Sequence, residues 1–162
     1  MVIREWSRLT APQREIIERH QASVPIKLSA LARDLGLRVV ASTLPSGISG
    51  EIRPVLDGYQ ISVNRHDSTR RQRFTVAHEI SHFLLHRDQI GDGITDDVLY
   101  RSSLSDSREA EANRLAADII LPREALAARL AETPLAGDEL VAALAAEFQV
   151  SEVAMKIRLG LT

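Results

Sequence analysis

Residues 73–86 read RFTVAHEISHFLLH, the most informative pattern in the chain. Apolar side chains occupy most positions, so the segment is predicted to form a helix that is buried on most faces. His78 and His82 are four residues apart, which places both imidazoles on one face of that helix. Two imidazoles and the carboxylate of Glu79 would be costly to bury without partners. The pattern therefore indicates a metal site.

Residues 78–82 match H-E-x-x-H, in which the histidines bind zinc and the glutamate is the general base of a peptidase. Zinc lowers the pKa of water towards neutrality, and the carboxylate accepts a proton as that water attacks a peptide carbonyl. The sequence predicts His78 and His82 as ligands of one Zn²⁺ per chain. Glu79 is the predicted catalytic base.

A catalytic zinc site normally has three protein ligands and one open position. Asp88 holds the last position of the longer pattern H-E-x-x-H-x-x-G-x-x-H. However, Leu85 stands where that pattern requires a turning glycine, which disfavours Asp88. A carboxylate from a following helix is the alternative source of the third ligand.

The following helix is predicted to begin at Ser105 or Ser107 and to reach about Ile120. It carries three acids, Glu109, Glu111 and Asp118. Glu111 and Asp118 are seven residues apart and share a face, which suits a ligand with an outer carboxylate. Glu109 is predicted to point elsewhere and is interpreted as a surface acid.

The composition limits the other possibilities. The 162 residues suit one compact domain, and the net charge of −2 gives no overall attraction to nucleic acid or anionic membranes. The absence of cysteine excludes disulfides, thiol nucleophiles and cysteine-bound metals. We expect a soluble cytoplasmic protein with no membrane partner, because no signal-peptide pattern and no apolar run of about 18 residues occur.

The remaining patterns predict an α+β fold, with six to seven helices around a small, largely antiparallel sheet of three strands. Thr10 and Gln13 are spaced as a capping box for a first helix, and residues 28–35 predict a second. The predicted strands are residues 37–42, 50–55 and 59–64. A polar loop is expected over residues 87–104, and three short helices over the rest of the chain.

Several segments together resemble the ImmA/IrrE family of metalloendopeptidases. Beyond residues 73–86, the resemblance rests on Ile48-Ser49-Gly50, Ile61-Ser62-Val63-Asn64, the run from Glu111 to Pro122, Leu144 to Ser151, and Arg158-Leu159. It covers about residues 24–161, so we expect one metallopeptidase domain over residues 1–162.

The resemblance implies a zincin-like core with Glu111 as the third zinc ligand. It also implies a substrate, since members of the family cleave helix-turn-helix repressors. Those repressors often control genes of phage, mobile elements, phage defence or the DNA-damage response. Two positions depart from the expected pattern. Ser81 replaces the glycine that usually precedes the second histidine. Leu115 stands where thermolysin has an aspartate behind its metal ligands, so such a supporting role for Asp118 is a hypothesis.

Other residues are candidates for supporting roles. His86 lies one turn beyond His82, and it or Tyr100 could polarise the substrate carbonyl or orient an outer group. The strand over residues 59–64 is a candidate edge for pairing with an extended substrate, through Ile61, Val63 and Asn64. An ordinary structural role is the alternative for each of these residues.

Residues 140–160 resemble a helix-turn-helix, so a non-catalytic DNA-binding regulator is the alternative function. A recognition helix needs positive charge, and this one offers Lys156 and Arg158 against Glu152. A packed helix pair within the peptidase domain is therefore the favoured interpretation.

Four arginines cluster where the motif helix begins: Arg65, Arg70, Arg71 and Arg73. Cations there oppose the positive end of the helix dipole and call for an acidic counterpart. The counterpart could be the protein's own carboxylates, such as Asp57, Asp67 or residues 92–97. The alternative is an external polyanion, such as single-stranded nucleic acid, that activates the enzyme.

Overall fold

A computed structural model describes residues 4–161 and shows an α+β fold. Its seven helices are α1 (Ala11–His20), α2 (Leu28–Asp34), α3 (Thr69–Leu85), α4 (Asp106–Ile120), α5 (Arg123–Glu132), α6 (Gly137–Phe148) and α7 (Glu152–Leu159). Its four strands are β1 (Leu37–Ser42), β2 (Ile48–Val55), β3 (Gly58–Asn64) and β4 (Ile94–Asp97). No described helix is both long and apolar enough to cross a membrane.

Local sequence signals account for most of these boundaries. The Thr10 side chain accepts from the backbone of Gln13 in the predicted capping box of α1. Ser68 and Ser105 cap α3 and α4 in the same manner, by accepting from the backbone three residues on. Strands β2 and β3 form a hairpin through the two-residue turn Leu56-Asp57, and Gly58 begins β3.

The sheet differs from the prediction in strand number and direction. Its order is β1-β3-β2-β4, with β1 parallel to β3 and the other two pairs antiparallel. The parallel pair follows from connectivity, because β2 reverses the chain and β3 reverses it again. The fourth strand, β4, lies within the predicted polar loop, where four residues are too few to give a clear strand pattern.

One close approach sets the distance between the sheet and α3. A Cβ atom on Gly50 of β2 would overlap the Cγ2 of Thr75 and lie 3.4 Å from the Oε2 of Glu79. Glycine at this position therefore lets β2 run directly beneath the motif helix. Helix α4 packs on another side of α3, where Glu109 and Asn113 both reach His78. The motif residues consequently lie between the sheet and α4.

Candidate metal centre

The motif side chains lie in the interior, where α3, β4 and α4 meet. His78 and His82 are fully buried and point their Nε2 atoms at Asp96 of β4 and Glu109 of α4. One donor atom from each of these four residues lies within 4.8 Å of the other three. Sequence positions 31 residues apart thus converge on one point.

The distances between these atoms suit a tetrahedral divalent ion. The Nε2 atoms of His78 and His82 lie 3.2 and 3.1 Å from the Glu109 carboxylate. The same nitrogens lie 3.4 and 3.6 Å from Oδ1 of Asp96. A tetrahedral zinc with bonds of about 2.0–2.1 Å has donors about 3.3–3.4 Å apart. Two imidazoles and two carboxylates also form a donor set that zinc accepts.

Several atoms at this point have no hydrogen-bonding partner among the described residues. They are Nε2 of His82 and both carboxylate oxygens of Asp96 and of Glu79. Buried polar atoms are normally satisfied, so such a group of unpaired atoms needs an explanation. A bound cation would supply one for His82 and Asp96.

A second layer of side chains orients the two imidazoles. Nδ1 of His78 lies 2.9 Å from Oδ1 of Asn113, and Nδ1 of His82 lies 3.0 Å from Nδ1 of His86. When the Nδ1 atoms donate these hydrogen bonds, both Nε2 lone pairs face the four-donor point. His86 in turn lies 2.9 Å from Glu111 through its Nε2.

The charges at the centre are strongly coupled. Burial opposes protonation of His82, but Asp96 and Glu109 outweigh it and raise the pKa of His82 to about 9. The same balance raises the pKa of His78. Burial, together with the facing carboxylate of Asp96, raises the pKa of Glu79 well above its usual range. Without a cation, the centre therefore retains protons that ordinary histidines and glutamates would lose.

A comparison with known families agrees with this geometry. Residues 32–160 match the peptidase M78 family, described as the IrrE N-terminal-like domain. The chain belongs to this family of metallopeptidases. No curated protein matches the chain.

Glu111 does not lie at the position predicted for it, next to the two histidines. Glu111 lies outside the four-donor point, where it accepts from Arg8 at 2.7 Å and pairs with His86 at 2.9 Å. Glu109 takes the position at the histidines instead. The reason is the face of α4 that meets α3: Glu109 and Asn113 are four residues apart on that face, and both contact His78.

Asp96 was missed by the sequence interpretation, which assigned it to a loop. In β4 the side chains of Ile94 and Asp96 point to the buried face, and that of Thr95 is exposed. This alternation, which begins directly after Gly93, is the signal that could have identified it. Asp88 lies at the surface, away from the centre.

Two other predicted residues have different surroundings. Asp118 forms a 2.8 Å ion pair with Arg158 that joins α4 to α7, so it does not support the imidazoles. Tyr100 lies beside the centre, with its ring centroid 4.8 Å from that of His78 and its hydroxyl 3.0 Å from that of Thr75. The position of Tyr100 allows contact with a bound substrate.

The prediction that β3 is an edge strand available to a substrate is wrong. Strand β3, which carries Ile61, Val63 and Asn64, is paired on both sides, with β1 and with β2. Its backbone groups are therefore already engaged in ladders. Among the described strands, the edges of the sheet are β1 and β4, and β4 is the edge beside the metal centre.

The four predicted arginines donate hydrogen bonds to backbone carbonyls, and none forms an ion pair within residues 4–161. Arg73 bonds the carbonyls of Phe148 and Gln149 at the end of α6, and Arg70 bonds that of Val150. Arg65 bonds Ala41 in β1, away from the others. Arg71 bonds the carbonyl of Val98, just after β4. The predicted cluster is thus divided, and only Arg70 and Arg71 face a common cleft.

That cleft has a volume of about 1100 Å³ and lies between the start of α3, residues 98–100, α4 and α7. Its arginines are Arg4, Arg70, Arg71, Arg114, Arg123 and Arg158, against the acids Glu5 and Asp118. Arg114 and Arg158 pair with those two acids. The cleft meets the metal centre at Tyr100 and Asn113, which both contact His78.

The helix pair over residues 140–160 consists of α6 and α7, joined by a turn in which Gln149 is left-handed. Arg158 is turned inward to Asp118, which removes one of the two cations that the DNA-binding alternative needed. Val153 and Ile157 are exposed on α7 instead. No observation at this helix favours DNA binding.

Proposed function

We propose that this peptidase is a zinc-dependent endopeptidase, with His78, His82 and Glu109 as zinc ligands and Glu79 as catalytic base. The observation that carries the proposal is the set of imidazole and carboxylate donors at tetrahedral spacing. Family membership supports the reaction class. The expected stoichiometry is one zinc per chain.

Each residue has a distinct part in this proposal. A zinc ion supplies the Lewis acidity that polarises a peptide carbonyl and activates water. Asn113 and His86 hold the two imidazoles in the tautomer that leaves Nε2 free. Glu79 accepts the proton of the attacking water and then passes it to the leaving amine.

The substrate that we propose is a helix-turn-helix repressor, and the cleavage releases the genes that the repressor controls. The support is the family resemblance, which links such peptidases to phage, mobile-element, defence or DNA-damage genes. A repressor of this kind acts in the cytoplasm, where the peptidase would meet it. Arg70 and Arg71 in the basic cleft support a further role for an acidic activator, such as single-stranded nucleic acid.

The Glu79→Gln variant tests the mechanism. It should retain about one zinc per chain and lose 10² to 10⁴-fold in cleavage rate, because only the proton acceptor is removed. The matched control is Glu18→Gln, the same change at an exposed position of α1. Zinc is measured by mass spectrometry, and cleavage on the repressor encoded beside the peptidase gene, where we expect a single cut.

Two results would contradict the proposal. Near wild-type cleavage by Glu79→Gln would remove Glu79 from the mechanism. Failure of the wild-type protein to take up zinc after reconstitution would contradict the proposed zinc site. Efficient, unselective digestion of casein would leave a peptidase but contradict the repressor as its dedicated substrate.

A further inference from the structure

The metal centre of this peptidase is closed to solvent. His78, Glu79, His82 and Asp96 each have no exposed surface, and Glu109 is 5% exposed. A peptidase must admit both water and a peptide to its metal. The described conformation admits neither, so some part of the chain has to move before cleavage.

Asp96 is the residue that closes the centre. Catalytic zinc sites keep three protein ligands and an open position, whereas four protein ligands make a closed, structural type of site. His78, His82 and Glu109 already supply three. Oδ1 of Asp96, at 3.4 and 3.6 Å from the two Nε2 atoms, occupies the fourth corner.

Asp96 also blocks the catalytic base. It lies opposite Gly50 in the ladder of β2 and β4, and a Cβ atom on Gly50 would lie 3.4 Å from Oε2 of Glu79. The attacking water has to lie between the metal and the base, within hydrogen-bond reach of Glu79. The carboxylate of Asp96, next to the two Nε2 atoms and opposite Gly50, borders that place.

The strand that carries Asp96 is the shortest of the four described strands and lies at an edge of the sheet. β4 has four residues, pairs only with β2, and has an irregular register between Ile48 and Gly50. The turn after it exposes Val98 by 41% and Leu99 by 65%. A short strand that is paired on one side only has fewer ladder hydrogen bonds to break than a central strand, so it opens at lower free-energy cost.

β4 also lies where a substrate would bind. It runs antiparallel to β2, with Asp96 opposite Gly50 directly beneath Glu79. An extended peptide adds to a sheet by pairing with a free edge, and removal of β4 makes β2 such an edge. One displacement would therefore open the metal and expose a backbone ladder beside it.

We propose that Asp96 is a fourth metal ligand and that β4 is an internal substitute for substrate, which keeps the peptidase latent until an extended substrate segment replaces it on β2. The inference rests on the proposed zinc peptidase function. It adds regulation of the same centre by the chain itself.

The first test is Asp96→Ala, with Thr95→Ala as the control on the exposed side of the same strand. Zinc affinity is measured by competition with a chelator, and cleavage on a mixed pool of quenched fluorescent peptides with zinc in excess. Asp96→Ala should bind zinc at least 10-fold more weakly and yet cleave at least 10-fold faster, whereas Thr95→Ala should match wild type in both. Asp96→Asn, which preserves volume, serves if the alanine variant does not fold.

The second test locks β4 to β2 without touching the metal ligands. The chain has no cysteine, so Glu51→Cys/Thr95→Cys introduces a single pair at positions directly opposite in the ladder. Opposite Cα atoms in antiparallel strands are about 4.5–5.5 Å apart, which a disulfide can span. The oxidised protein should retain zinc and lose cleavage, and reduction should restore cleavage.

The outcomes separate this inference from the function on which it rests. Equal zinc affinity in wild type and Asp96→Ala, slower cleavage by Asp96→Ala, or full cleavage by the oxidised double-cysteine variant would each overturn latency. The zinc peptidase itself would stand in those cases. It fails instead if Asp96→Ala cleaves the pool and the added change Glu79→Gln leaves that cleavage intact.

Discussion

Glu109 and Glu111 show how two residues of spacing separate two roles on one helix. Positions two apart on an α-helix differ by about 200° around its axis. The carboxylate of Glu109 consequently faces the imidazoles inside, while that of Glu111 joins His86 and Arg8 at the outer layer. The sequence showed both acids, but their assignment depends on which face of α4 meets α3.

The two glutamates should respond differently to the same change. Glu109→Gln removes a charged donor at the metal and should weaken zinc affinity by more than 100-fold. Glu111→Gln weakens the pairs with His86 and Arg8 but leaves the metal ligands in place, and changes behind a ligand typically cost about 10- to 100-fold in metal affinity. Chelator competition on both variants measures the difference. A larger loss for Glu111→Gln would return Glu111 to the metal.

The histidines and Glu79 could be predicted because their spacing is local and repeats with the helix turn. Glu109 could have been predicted from the apolar stripe of α4, seven residues before Ala116. Asp96 is harder, because it reaches the centre through strand pairing with β2, and β2 is more than 40 residues earlier. Pairing of that kind is not encoded in local spacing.

At the scale of elements, the arginines at the start of α3 have a structural partner elsewhere in the fold. Arg73 and Arg70 bind carbonyls at and just beyond the C-terminal end of α6, where unpaired acceptors and the negative end of the helix dipole favour cations. Their partners are thus neither the acidic loop nor Asp57 or Asp67. The sequence predicted that these arginines need a negative counterpart. It did not predict that the counterpart is the C-terminal end of a helix about 75 residues away.

Arg70 and Arg71 border the basic cleft, and a double charge reversal tests it. We expect Arg70→Glu/Arg71→Glu to abolish binding of a short single-stranded oligonucleotide and any stimulation of repressor cleavage by it. Binding by wild type should weaken steeply with salt, because released counterions drive it. Arg33→Glu/Arg38→Glu changes the same charge at exposed positions outside the cleft and should have no effect. Stimulation that survives the reversal, or that wild type lacks, would contradict the activator.

At the scale of the whole molecule, the fold and the metal centre are coupled. Three separate elements supply the donors: α3, β4 and α4. The α+β class and a count of six to seven helices followed from periodicity and capping signals. The parallel pairing of β1 with β3 and the edge position of β4 required the folded arrangement. A cation at the centre therefore links elements whose mutual placement the local sequence does not specify.

This coupling predicts opposite effects of pH on the metal-free and zinc-loaded forms. In the metal-free form, the pKa of His82 rises from 6.5 to about 9, and the pKa values of His78 and Glu79 are raised as well. The folded state then holds more protons than the unfolded state between pH 6.5 and 9, so stability falls as pH rises through that range. His82 alone corresponds to about 2–3 kcal/mol of unfolding free energy.

Zinc is expected to reverse the pH dependence of the unfolding free energy. It binds neutral imidazoles and ionised carboxylates, so it competes with protons for these groups. Urea unfolding at pH 6.5 and pH 9, in chelator and in a fixed free zinc concentration, measures both forms. We expect the free energy of unfolding to fall with pH in chelator and to rise with pH in zinc. His82→Gln should flatten the chelator series, since the most strongly shifted histidine is gone. The contrary result is a metal-free protein whose stability stays level or increases from pH 6.5 to 9. It would show that the buried carboxylates do not hold protons on these histidines, and that the raised pKa values described for the centre are wrong.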